Sequence, residues 1–175
     1  MFDWLTKRGS LNETATEIYG AIVTRGRTVE FYRAGGAADT PSGRYEVIVL
    51  VMVLVLERLR QAGAETLELQ RTVIEAFVTD MDDCMREMGV GDLTVPKKVK
   101  KAAAGLLERM EQYRQALASP GTEALEAALQ TNVPGVAGIE GGAARLAAMV
   151  RADQDHLRSL SDAAVSSGAV SFSSP

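Results

Sequence analysis

VIVLVMVLVL, residues 47–56, is the stretch whose reading decides the fold. It is rich in β-branched side chains, and taken alone such a run reads as a buried strand. A buried strand must pair its backbone N–H and C=O groups, and no second strand-like run exists elsewhere in the chain. The flanks, Arg44-Tyr45-Glu46 before it and Glu57-Arg58-Leu59-Arg60 after it, extend the run to helix length. Residues 44–61 therefore read as a helix that is apolar on every side, which belongs at the centre of a helical bundle. A strand is the alternative. Ten apolar residues are too few to span a bilayer core, which takes about 20 in a helix.

Toward the N-terminus, Ser10-Leu11-Asn12-Glu13 has the pattern of a capping box, and Leu11, Ala15, Ile18 and Ile22 follow at helical spacing. A helix is expected from there to about Arg25, then a short helical turn over 29–33 and a loop, AADTPSG, over 37–43. Toward the C-terminus, residues 65–88 are amphipathic, with Ile74, Phe77, Met81, Met85 and Met88 on one stripe. Gly89 is placed to end that helix, and Pro96 to begin the next. Val99, Ala103, Leu106, Met110, Tyr113 and Leu117 then repeat at alternating spacings of four and three, a coiled-coil-like seam ending near Ser119-Pro120. Thr122 is a candidate cap for a short helix through Gln130. VPGVAGIEGG (133–142) reads as a link, and 143–160 as a last amphipathic helix. The expected fold is thus all-α, a single-domain helical bundle of about six helices around a buried central one. The organisation is an N-terminal arm (1–10), a helical domain (11–162) and a serine-rich tail (163–175) expected to be disordered.

The bulk numbers fit one core and narrow the function. The chain has 175 residues, 46% hydrophobic but only 5% aromatic, so Leu, Val, Ile, Ala and Met must build the core. A net charge of −4 argues against general nucleic-acid binding. One cysteine, Cys84, excludes an internal disulfide and fits a reducing compartment. MFDWLTKRGS lacks the apolar region of a secretory signal, so a cytoplasmic protein is expected, with peripheral contact at the inner membrane as a further option. Phe2, Trp4 and Leu5, followed by Lys7 and Arg8, read either as a small interfacial anchor or as a packed arm.

Most of the unexplained charge lies in DMDDCMREMGVGDLTVPKKVKK, residues 80–101. Asp80, Asp82, Asp83 and Glu87 crowd the end of one helix, whereas Lys97, Lys98, Lys100 and Lys101 crowd the start of the next. Helix dipoles favour the opposite placement, by about 0.3–1 kcal/mol per exposed charge. Either the turn lets the two clusters neutralise each other, or both face a partner. Chemistry is not suggested. Asp80, Asp83 and Glu87 share a helix face, but di-metal bundles need Glu-x-x-His pairs from several helices, and the only histidine, His156, stands elsewhere. Cys84 has no His or Asn motif to make it a nucleophile and reads as a structural thiol. KKVKK lacks the interleaved aromatics of a single-strand nucleic-acid binder.

Several of these segments resemble the ubiquinol–cytochrome c chaperone family, assembly factors for cytochrome b of the bc1 complex. LNETATEIYGAIVTRGR with the following EFY is similar to the family's opening helix, and DTPSGRYEVIVLVMVLVLERLR to its loop and central helix. FVTDMDDCMREMGVGDLTVPKKVKK, residues 77–101, is the most specific match. The chain departs after Lys101, where an aromatic stretch is usual and Gly105-Leu106-Leu107-Glu108-Arg109 stands, and at Val51, near an expected histidine. The resemblance implies a non-enzymatic chaperone without a cofactor. Its expected partners are newly made cytochrome b or another bc1 subunit, with the ribosome surface or a small helical protein as further candidates. The expected partner-binding residues are Asp80, Asp82, Asp83, Arg86, Glu87, Gly89, Gly91, Asp92, Pro96, Lys97, Lys98, Lys100 and Lys101. Met81, Met85, Met88 and Met110 read either as an adaptable client groove or as plain core. Without the resemblance, the reading is a generic helical adaptor for a soluble protein.

Overall fold

A computed structural model describes residues 3–174, with side chains from residue 9 onward. The helices are α1 (Asp3–Gly26), α2 (Val29–Arg33), α3 (Pro41–Ala62), α4 (Leu67–Glu87), α5 (Val95–Ala118), α6 (Glu123–Asn132), α7 (Gly142–Ser159) and α8 (Asp162–Ser166). Short 3₁₀ turns cover Ala64–Thr66 and Val136–Gly138, and no strand occurs among the described residues. The all-α expectation therefore holds.

The apolar run is α3, and it is central as expected: α1, α4, α5, α7 and α8 all pack on it. Residues 49–56 are buried without interruption. No outer face remains to be polar, which is why the sequence shows no helical alternation there. The two ends of α3 carry buried charges, each with a partner. Glu46 accepts from Arg109 of α5 at 3.2 and 3.4 Å. Arg58 donates to the carbonyls of Leu157 and Leu160 at 2.9 and 2.5 Å and to Asp162 at 2.7 Å, satisfying the end of α7 and fastening α8.

α3 begins earlier than residue 44. Thr40 has the extended backbone of an N-cap, its hydroxyl accepts from the Gly43 N–H at 3.2 Å, and Pro41 opens the helix. Gly43 is required because a Cβ there would lie 1.9 Å from the Ala38 carbonyl oxygen. The loop thus folds directly onto the first turn.

Two expectations at the chain ends are corrected. α1 starts at Asp3, so residues 3–10 are helical rather than a separate arm, and Ser10 lies inside the helix instead of capping it. Ser and Glu three apart are tolerated within a helix, so the pattern alone does not mark a start. Phe2 lies outside the described residues, as do the side chains of Trp4, Leu5, Lys7 and Arg8 on which the anchor reading depended. At the other end, the tail expected to be disordered is packed. Ser161 caps α8 through the Ala164 N–H at 3.1 Å, and Val165 is buried. Val170 and Phe172 pack on the core, and Ser173 donates from its N–H and its hydroxyl to Asp153 at 3.1 and 2.8 Å. Asp153 is fully buried and also takes both arms of Arg25 at 2.9 Å, while Phe31 and Phe172 flank that guanidinium at 5.0 and 5.9 Å. A few apolar anchors and one carboxylate outweigh the serine-rich composition.

Candidate functional site: the α4–α5 arm

The inner line of α4 is Leu69, Val73 and Phe77, all buried. Phe77 meets the rings of Tyr19 and Tyr45 at centroid distances of 6.5 and 6.1 Å, joining α4 to α1 and α3. Tyr45 also donates to the Ala102 carbonyl at 2.9 Å, which ties in α5, and burial pushes its phenol up to about 12. Beyond this aromatic joint the two helices run on as an arm. Across residues 78–105 only Val95 is buried.

The arm reverses at Gly89, whose φ of +75° suits glycine, and its N–H bonds back to the Arg86 carbonyl at 2.9 Å. The Val90 N–H closes on Met85 O at 3.0 Å, and Thr94 N–H on Gly91 O at 2.7 Å. Pro96 lies in the first turn of α5, as expected. The coiled-coil-like seam is the inner face of α5, where Leu106, Tyr113 and Leu117 are buried and Met110 packs beside them.

The expected site residues divide into three groups. Asp80 belongs to the bundle: the Tyr19 hydroxyl donates to it at 2.7 Å, and the Cys84 thiol lies 4.0 Å away. Burial, then the Asp80 carboxylate, push the Tyr19 phenol up, so it remains a donor. Asp82 and Asp92 are both held by Arg86, at 2.5 and 2.6 Å, which staples the end of α4 to the turn. The third group is exposed and unpaired. Neither Asp83 nor Glu87, nor any of Lys97, Lys98, Lys100 and Lys101, makes an ion pair among the described residues. The acids of α4 are therefore neutralised in part by Arg86, and not by direct pairing with the lysines of α5.

Cys84 is half-buried rather than buried. Burial pushes its thiol up, reinforced by the carboxylates of Asp80, Glu87 and Asp83, the opposite of what a reactive thiolate needs. No cluster of His, Cys, Asp and Glu among the described residues could hold a metal ion. No described helix is long and apolar enough to cross a membrane.

The residue that sequence reasoning passed over is Leu93. It is 99% exposed at the tip of the arm, and Met88 across the turn is 61% exposed. Leu107, 63% exposed, stands on α5 beside a groove of about 280 Å³ lined also by Met110, Val53 and Leu56. Met81 and Met110 pack against the core, so the four methionines do not form one lining. The only available signal for Leu93 was an apolar residue inside a turn, where burial is not the default.

The arm thus presents apolar side chains, uncompensated lysines and little buried surface to hold it rigid. Among proteins of curated function none matches this chain. The crystal structure of the Cbp3 homolog from Brucella abortus is similar over 99% of this chain and 97% of that one, with 34% identity and a TM-score of 0.83. The sequence profile described as Ubiquinol-cytochrome C chaperone matches residues 33–172, from the end of α2 through the arm to Phe172, and the chain belongs to that family.

Proposed function

We propose that this protein is a non-enzymatic chaperone that holds newly made cytochrome b and promotes assembly of the bc1 complex, with the α4–α5 arm as its client-binding surface. The observation that carries the reading is the family match, which runs through the whole arm. The exposed Leu93 and Met88 offer apolar contact to a membrane protein's unassembled segments. Lys97, Lys98, Lys100 and Lys101 supply a cationic fringe to the same surface, and they add on-rate and orientation more than affinity. Gly89 and Gly91 let the turn adapt, while Arg86, Asp82 and Asp92 hold its register. The protein works in the cytoplasm, close to the membrane that receives its client. A strain lacking this chain should transcribe the bc1 genes normally but contain little assembled complex. Normal bc1 content in that strain would exclude the assignment.

A further inference from the structure

A second charged feature lies apart from the arm, where α1, α2 and α3 meet. Arg27 follows α1, Arg33 ends α2, and Arg44 stands in the first turns of α3. Together with Tyr32, Asp39 and Val29 they line an open cleft of about 600 Å³. Arg44 is bound to Asp39 at 2.6 Å. The side chains of Arg27 and Arg33 make no ion pair or hydrogen bond among the described residues. The Tyr32 hydroxyl donates to the Gly26 carbonyl at 2.6 Å, so it is spent within the fold. Burial raises its phenol, and Arg44 and Arg27 both oppose that rise.

Three cations therefore face one carboxylate, in a chain whose net charge is −4. The positive end of the 22-residue α3 lies beside Arg44 and adds to the same field. All three cations are arginine, whereas the cations left unpaired on the arm are lysines. A guanidinium presents a planar fork that matches the oxygens of a phosphate, and it is less strongly hydrated than an ammonium. Arginines that line one cleft repel one another, and an anion bound between them relieves that repulsion.

We infer that this cleft is a binding site for a phosphate group, with Arg27 and Arg33 as its principal ligands and Arg44 as its orienting neighbour. The inference is independent of the client reading, since no residue is shared with the arm. The phosphate has two sources that the same chemistry would accept, a soluble phosphate compound or an anionic phospholipid headgroup, with Val29, half exposed at 51%, on the rim.

The test uses the full chain and two probes. Pyrophosphate is titrated by calorimetry, and flotation is measured with vesicles of phosphatidylcholine alone or mixed with phosphatidylglycerol. Variants R27Q/R33Q and K97Q/K98Q/K100Q/K101Q are run beside the wild type, with melting curves to confirm folding. Pyrophosphate binding that falls at least about tenfold in R27Q/R33Q supports the site with a soluble source, since each charge-assisted pair contributes on that order. Flotation only with phosphatidylglycerol, lost in R27Q/R33Q and kept in the lysine variant, supports it with a lipid source. Failure of both probes to bind the wild type overturns the inference. So does binding that R27Q/R33Q leaves intact, or binding that the lysine variant removes equally. An acidic peptide that binds the cleft where both phosphate probes fail also overturns it, in favour of a protein ligand.

Discussion

In α3, residues 49–56 are buried one after another, whereas over residues 78–105 of the arm only Val95 is. Both regions are helical and both are part of the family match, but they divide the work. Each fully buried Val or Leu contributes about 1.5–3 kcal/mol, so α3 holds the bundle together and tolerates little change. The arm has almost no such term beyond the Tyr19–Phe77–Tyr45 joint. In the proposed function it is shaped by what it touches, and its charges answer to a partner rather than to its own helix dipoles. A helix placed against five others and a helix pair projecting from them are thus expected to respond oppositely to substitution.

The largest effect separating them should come from a charge inside α3. Leu50→Asp puts an unpaired carboxylate where exposure is 0%, and the protein should fail to fold by circular dichroism. A soluble, folded variant would break the comparison at its stronger end. Next, Arg25→Ala strips Asp153 of its guanidinium partner in a fully buried site. Denaturant unfolding should show a loss of about 3–5 kcal/mol, with the tail released as Phe172 loses its cation.

A smaller effect is read from pH. Burial raises the Glu46 carboxyl above the usual carboxylate range, against the opposing pull of Arg109. A carboxyl with a raised folded value holds its proton more tightly folded than unfolded. Stability from this group is therefore present at low pH and lost as pH rises from the ordinary value to the folded one. Glu46→Gln cannot ionise, so variant minus wild-type stability should climb through that window and stay level above it. A difference that does not change with pH would remove the assigned cause.

The smallest effect on stability belongs to the arm. Reversing Lys97, Lys98, Lys100 and Lys101 to Glu, with Leu93→Ser added, touches no ion pair and no buried side chain. Melting should move by no more than about 0.5 kcal/mol equivalent, since glutamates suit a helix N-terminus better than lysines do. Assembled bc1 should nevertheless fall when this variant replaces the wild type. A variant that melts several degrees lower yet supports assembly would turn the arm into ordinary structure.

The parts legible in the sequence are those set by local periodicity or by one dominant run. α3 was found because nothing else in the chain could pair with a strand, and α5 because its four–three spacing is regular. The early start of α3 was missed because Thr40 and Pro41 were read as loop composition rather than as cap and first residue. The tail was misread because three apolar anchors are diluted among serines, and Asp153, which accepts from Ser173, looks like any surface acid in sequence. In the candidate site, the misplaced charges were visible from helix ends alone. Their partners were not. Tyr19 lies 61 positions from Asp80 along the chain, and no spacing rule links them. The arginine cleft was invisible for the same reason, since its three members come from the turn after α1, from α2 and from α3.

The central claim is that the arm, and not the bundle, meets the client. A photo-crosslinking residue placed at Leu93 or Lys97 in cells making the bc1 complex, with the exposed Arg158 of α7 as control, tests it directly. The account predicts that cytochrome b is captured from Leu93 and Lys97 during synthesis and not from Arg158. Capture of cytochrome b from Arg158 alone, or of an unrelated soluble protein from both arm positions, would contradict it.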